Sequence, residues 1–360
     1  GHDLCSTVVP YVDFITGKGM ISSRSLVLSP FAVTSMLAMV FLGARGSTSG
    51  QMNDVLRLDD MVTFNPHQVL QNITESVINS RNIGSSTELY PLLHCFLSSP
   101  TRAHPIFPLA HSSLISQFSK LHLCGLSSKS LIWYFFLQTD CDLASTDGRD
   151  GEMYFVVRDI DAAEEAGPVP AAVWRSGFLA GYEPGLDATA VSIGSDSVVS
   201  TIFVLPGQQG QVAPGDGLAR LEQRLIETSY RRGGWSRLLR SLLLRPGLEI
   251  QLPRFSHRSV LNVTSALQRM GLKDIFDSEK ADLRGLNGYT NDLYLSDMVQ
   301  VNTFSTCGED AAGARHHVET QARLPDNPRL RFDRPFLYFV RHNPTGMILH
   351  VGRFNPRLLP

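Results

Sequence analysis

The sequence predicts an α+β fold built as one domain. Three observations carry this: helical periodicity dominates the early chain, short apolar runs dominate the late chain, and no linker separates the two. The 360 residues are 43% hydrophobic and 18% charged, a globular composition with ample length for a large core. Length alone would suggest two domains. No Pro/Gly/Ser linker, charge run or internal repeat divides the chain, so residues 1–360 are read as a single unit.

The first helix is predicted over residues 31–42, with Ser29 as N-cap and Pro30 at the first helical position. It is apolar nearly all round and therefore central. Gly43 ends it, and a second helix is predicted over 51–56. A third, over 67–80, places Val69/Leu70, Ile73 and Val77/Ile78 at helical spacing. Residues 191–206 read as two strands, and 217–244 as a helix pair split at Gly233-Gly234. A strand over 248–252 precedes a helix predicted over 260–270 and capped by Gly271. Strands are predicted over 293–302, 335–341 and 346–351.

Residues 84–145 differ in character. They are rich in Leu, Ser, Phe and His, nearly free of acids, and hold Cys95, Cys124 and Cys141. No period of 2 or 3.6 runs through them, whereas foldable sequence keeps local and global pattern consistent. This stretch is read as atypical: a divergent insert, or residues of non-native origin such as a translated intron.

Several function classes are excluded. A net charge of -2 lacks the basic footprint of a nucleic-acid binder. The apolar stretch 30–44 is shorter than the roughly 18 residues a membrane span needs. No nucleophile elbow, H-E-x-x-H, P-loop or dinucleotide glycine motif occurs, which argues against an enzyme. Five cysteines without a C-x-x-C pair read as mostly free thiols. His316-His317 lacks a third ligand, so no metal and no cofactor are expected. Arg231, Arg232, Arg237 and Arg240, with Arg220, Arg224 and Arg245, form a weak polyanion candidate. Solvated helix faces, with Glu222 and Glu227 nearby, explain these arginines more simply. The chain begins with Gly1, so an original N-terminus is expected to be lost. Asn72-Ile-Thr and Asn262-Val-Thr are glycosylation sequons and point toward a secreted, extracellular protein.

Four stretches, in order, resemble the serpin family of serine protease inhibitors. The segment Ser25-Leu26-Val27-Leu28-Ser29-Pro30-Phe31, followed by Gly43-Ala44-Arg45-Gly46-Ser47-Thr48, is similar to the family's helix B entry. Leu252-Pro253-Arg254-Phe255, with Leu267, Gly271, Ile275-Phe276 and Ala281-Asp282-Leu283, is similar to its central strand-helix segment. Arg331-Phe332-Asp333-Arg334-Pro335-Phe336 and Gly352-Arg353-Phe354-Asn355-Pro356 resemble its C-terminal hairpin. Gly308-Glu309-Asp310-Ala311-Ala312-Gly313-Ala314 resembles the proximal hinge of its reactive loop. The resemblance covers roughly residues 20–83 and 150–360. It implies three β-sheets with surrounding helices and an exposed C-terminal reactive loop. It also implies a monomer whose partner is a serine protease, trapped when the cut loop inserts into the main sheet; Arg323 before the cut makes that protease trypsin-like. Family members draw strands of that sheet from the region after the third helix, and residues 84–145 do not match them.

Counting from Gly308 as in the family puts the reactive bond at about Ala322-Arg323; one residue further gives Arg323-Leu324, which is taken as the reactive bond, with Ala322-Arg323 as the alternative. Arg before the cut suits a peptidase pocket that holds a buried acid. Residues 316–328 are polar and carry Pro325 and Pro328, as an exposed loop should. The hinge departs from the family at Glu309 and Asp310, where small or hydroxyl residues are usual. On a strand, Glu309, Ala311, Gly313 and Arg315 share one face. Burying unpaired charge there costs several kcal/mol, which leaves a non-inhibitory binding or carrier module as the alternative function.

Overall fold

Ser29 starts the first helix as its residue types require. Its hydroxyl accepts a 3.1 Å bond from the Ala32 N–H, and Pro30 occupies the first position, where no N–H is needed. This helix, α1 (Pro30–Phe41), is buried along most of its circumference, as its unbroken apolar run demands. The computed structural model describes residues 25–57, 66–79, 85–86, 94–95, 130–139, 151–157, 165–194, 198–208, 217–287, 293–306 and 328–356. Within these follow α2 (Gly46–Leu56), α3 (Pro66–Asn79), α4 (Gly217–Arg232), α5 (Gly234–Ser241), α6 (Thr264–Arg269) and α7 (Arg284–Asn287).

The strands are β1 (Leu26–Leu28), β2 (Ser85–Ser86), β3 (His94–Cys95), β4 (Ser130–Thr139), β5 (Gly151–Val157), β6 (Glu165–Glu183) and β7 (Ala188–Ile193). They continue with β8 (Val199–Pro206), β9 (Leu243–Pro253), β10 (Ser256–Asn262), β11 (Asp297–Ser305), β12 (Arg329–Arg331), β13 (Phe336–His342) and β14 (Ile348–Phe354). They form two hydrogen-bonded networks. One runs β1-β14-β13-β8-β7-β6-β9-β12, with β5 also on β6; the other runs β10-β11-β4-β2, with β3 also on β4. The expected three sheets merge into two networks because β6 passes from one sheet into the next. Its pairing with β9 shifts register between Ser176 and Phe178, a bulge that bends the strand.

Aromatic side chains join the two networks. Phe304 of β11 stacks on Tyr338 of β13 at 4.1 Å between centroids. Phe255, between β9 and β10, stacks on Phe354 of β14 at 4.1 Å. Gly352 is required beside this cluster, because a Cβ there would lie inside the Tyr338 ring. The ring contacts add to area burial and fix how the sheets sit on each other.

Three expectations need correction. The helix predicted over 260–270 is a strand to Asn262 and a short helix from Thr264. Buried Ser259 and Leu261 alternate with exposed neighbours, a period of 2 that the apolar content concealed. The second helix begins at Gly46 rather than at residue 51. Finally, residues 84–145 do supply sheet: β2, β3 and β4 all lie within them. The uninterrupted apolar run from Leu131 to Leu137 forms a strand without the alternation that a period search detects.

A buried ion pair ties α4 to the sheet. Arg353 of β14 donates to Glu222 at 3.0 Å, and the two side chains are 2% and 6% exposed. Burial pushes the Glu222 carboxyl above its ordinary range while Arg353 opposes the shift. Glu222→Ala would leave the Arg353 charge without its carboxylate. The expected loss is about 3–5 kcal/mol, read from urea unfolding.

Candidate functional site

The two ends of the 307–327 segment are mounted on consecutive strands. At the first end, β11 finishes at Ser305 and Thr306 is buried. The Thr306 N–H donates to the Phe255 carbonyl at 3.0 Å, and the Phe255 N–H donates to Thr306 Oγ1 at 3.0 Å. The Thr306 hydroxyl points at the Pro253 carbonyl, 3.3 Å away. At the second end, the Pro328 carbonyl accepts from the Glu249 N–H at 2.9 Å. Then β12 pairs in parallel with β9, Arg329 opposite Glu249 and Arg331 opposite Gln251. Arg331 Nε donates to Gln251 Oε1 at 2.8 Å, and Leu330 is buried beneath. Only Arg254 and Phe255 separate β9 from β10, so this short connector spans both mounts. Phe255, stacked on Phe354, keeps it rigid.

Beside the first mount lies a parallel seam. All nine residues of β11 pair with β4, from Asp297 opposite Ser130 to Ser305 opposite Gln138. Parallel pairing has slanted bonds and is slightly weaker per residue than antiparallel pairing. The other neighbour of β11 is antiparallel β10.

The inner face of β10 and β11 carries polar groups that cap the free edge of β1. The Val27 N–H donates to Ser259 Oγ at 2.9 Å. Asn302 Nδ2 reaches the Val27 carbonyl at 3.4 Å. Gln300 holds Ser29 at two points, accepting from its N–H at 2.9 Å and donating to its carbonyl at 2.8 Å. The Ser29 hydroxyl donates to the Leu349 carbonyl of β14 at 2.7 Å. Ser29 thus joins α1, β14 and β11 in one place. His257 completes the row, with one ring nitrogen 2.9 Å from Ser259 Oγ and a bond to the Ser25 backbone.

Several residues singled out from the sequence fall elsewhere. The hinge Gly308 to Ala314, the Arg323-Leu324 and Ala322-Arg323 bonds, Arg315 and His316-His317 lie outside the described residues. Asn72 sits within α3 and accepts from Gln68 at 2.9 Å. Asn262 ends β10 and donates to Asp297 at 3.0 Å. Asn72 and Asn262 are both exposed, and Val263 after Asn262 belongs to neither β10 nor α6. The arginine cluster is divided among separate duties. Arg237 pairs with buried Glu183 at 2.9 Å, Arg224 with Asp187 at 3.5 Å, and Arg240 bonds the Ser236 carbonyl at 3.2 Å. Arg231 and Arg232 are the last two residues of α4. Sequence reading missed Thr306, Gln300, Asn302 and Ser259. A signal existed: Met298, Gln300, Asn302 and Phe304 share a strand face, and two amides on that face demand partners.

Comparison with known proteins agrees with this architecture. A family model described as Serpin (serine protease inhibitor) matches residues 18–93 and 174–356. The leukocyte elastase inhibitor of Bos taurus is 27% identical, covering 92% of this chain and 93% of its own length. Leukocyte elastase inhibitor A of Rattus norvegicus is also 27% identical, covering 91% and 92%. The solved structure of uncleaved ovalbumin aligns with a TM-score of 0.71 at 19% identity, covering 99% of this chain and 98% of that one. These relatives overturn the expectation of secretion, because leukocyte elastase inhibitors are intracellular proteins of the family. Two tripeptides of a kind that arises by chance carried that expectation.

Thr306→Val keeps the shape of the first mount but leaves the Phe255 N–H without its acceptor. A stability loss of about 1–3 kcal/mol is expected, together with faster hydrogen exchange at Phe255. Unchanged exchange there would show that the hydroxyl does not hold the mount.

Proposed function

Because the chain belongs to the serpin family, we propose that it inhibits a serine endopeptidase as a suicide substrate, with residues 307–327 as bait. The peptidase supplies the attacking hydroxyl. It adds to the Arg323 carbonyl carbon, the bond to the Leu324 nitrogen breaks, and an acyl ester to the peptidase remains. Arg323 suits a trypsin-like pocket with a buried acid. The relatives named for leukocyte elastase make an elastase the alternative target.

The parallel seam beside the first mount carries this reading. A segment that folds back from Thr306 runs antiparallel to β11, and therefore antiparallel to β4 as well. Entry into the seam replaces one parallel ladder by two antiparallel ones. That gain, with apolar burial, drives the cut loop inward and carries the acylated peptidase along.

A second reading rests on the hinge charges. On an inserted strand Glu309 and Arg315 would share one face, and burying them there would slow entry. If hydrolysis of the ester wins that race, the chain is cleaved and released, as a binding or carrier module would be. Residues 84–145 bear on the same competence, because they furnish β4. We hold them to be atypical for the family, with a divergent insert and a non-native origin as the two explanations. A mature transcript encoding other residues there supports the non-native origin, and an identical reading frame removes it.

Incubation with trypsin and, separately, leukocyte elastase tests the function. An inhibitor gives a peptidase complex that survives a denaturing gel, and the released C-terminal fragment begins at Leu324. Arg323→Ala is expected to slow reaction with trypsin by about 100-fold or more. Clean cleavage without complex would reject inhibition and leave the carrier reading.

A further inference from the structure

We propose that His257 is a proton-operated release on the joint between the two sheet networks. It stands in β10, the strand whose inner-face side chains cap the free edge of β1. The cap works only with a defined set of hydrogens. The Val27 N–H occupies one lone pair of Ser259 Oγ. The Ser259 hydroxyl hydrogen can then point to His257 Nε2, 2.9 Å away. With Nε2 accepting, the other ring nitrogen of neutral His257 carries the hydrogen, and the Ser25 backbone lies close enough to favour the charged ring. The Ser25 hydroxyl in turn accepts from the Asn355 N–H at 2.9 Å. The neutral imidazole therefore stands between Ser259 of β10 and Ser25, the residue before β1.

A proton added at Nε2 reverses one link. The nitrogen becomes a donor, and the Ser259 hydroxyl hydrogen loses its acceptor. Ser259 Oγ must then accept from both Val27 and the imidazolium, and the half-buried ring carries a charge. Among the described residues of the strands around it, no carboxylate is free to offset that charge. On β10, Arg258 is exposed, and it is positive. On β11, Phe304 stands opposite His257, and β1 offers Leu26, Val27 and Leu28. On β14, Arg353 faces Leu26 but is already paired with Glu222, and His350 is fully buried.

Burial lowers the affinity of His257 for a proton below its ordinary value near 6.5, with the Ser25 bond as a smaller opposing influence. The sign follows from linkage. A histidine with a depressed folded pKa costs nothing well above pH 6.5. It destabilises the fold increasingly as pH falls through that value toward the folded pKa. His342 shifts the same way, and burial holds His350 at about 3. A global acid transition would therefore mix several histidines, so the test must read the Val27 link itself.

Hydrogen exchange at the Val27 amide provides that reading on the unmodified chain. Exchange is measured at about pH 7.5 and about pH 5.5 and corrected for the intrinsic rate. Protection of Val27 is expected to fall by about threefold or more at the lower pH. In His257→Gln the fall should vanish, and in Ser259→Ala Val27 should be poorly protected at both values. Equal Val27 protection at both pH values, or the same acid loss in His257→Gln, would overturn the proposal. Equal Val27 protection in the wild-type chain overturns the proposal even where a variant does not fold.

Discussion

Everything near the site depends on how the free edge of β1 is closed. An edge strand exposes unpaired N–H and C=O groups, and a protein must cover or pair them. Here side chains replace a strand. Ser259, Asn302 and Gln300 meet the outward groups of Val27 and Ser29. Because Ser29 also caps α1 and bonds β14, one short segment welds a helix and two sheet networks. The pair β10 and β11 is thereby fixed to the body of the molecule.

That weld gives the parallel seam its meaning. One wall, β11, is tied from behind and clamped at its end by Thr306. The other wall, β4, pairs with β11 and with the short strands β2 and β3. In the proposed insertion, the weld would hold β11 while β4 and its neighbours move. The proposed bait segment, residues 307–327, lies in the chain between Thr306 and Pro328, next to β12, which is held by β9. The Arg254-Phe255 connector keeps those two mounts at a set spacing, and the aromatic stack of Phe255 on Phe354 anchors the connector.

Much of this is legible in the sequence, for physical reasons that can be named. Ser29-Pro30 before an apolar run fixes a helix start, because cap chemistry is local. The order of four family-like stretches points to the fold. The parts that escape depend on contacts distant along the chain. Gln300 and Asn302 look like interruptions of a strand until Ser29 and Val27 stand opposite them. The end of Ser256–Asn262 reads as helix because apolar content outweighs a short alternation. The strand from Ser130 to Thr139 is hidden by its own uniform apolar character. The expectation of export rests on sequons that occupy a helix and a strand end, and relatives overturn it. The charges at Glu309 and Arg315 stand out from the sequence alone, and they carry the proposed non-inhibitory alternative.

The division into a fixed and a moving wall is the claim most open to direct measurement. Hydrogen exchange can be followed along the chain before and after the bait segment is cut. The account predicts that protection changes along β4, while the Val27 and Ser29 amides keep theirs throughout. Loss of protection at Val27 and Ser29 on cleavage, with β4 unaltered, would contradict it and place the moving wall on the other side of the seam.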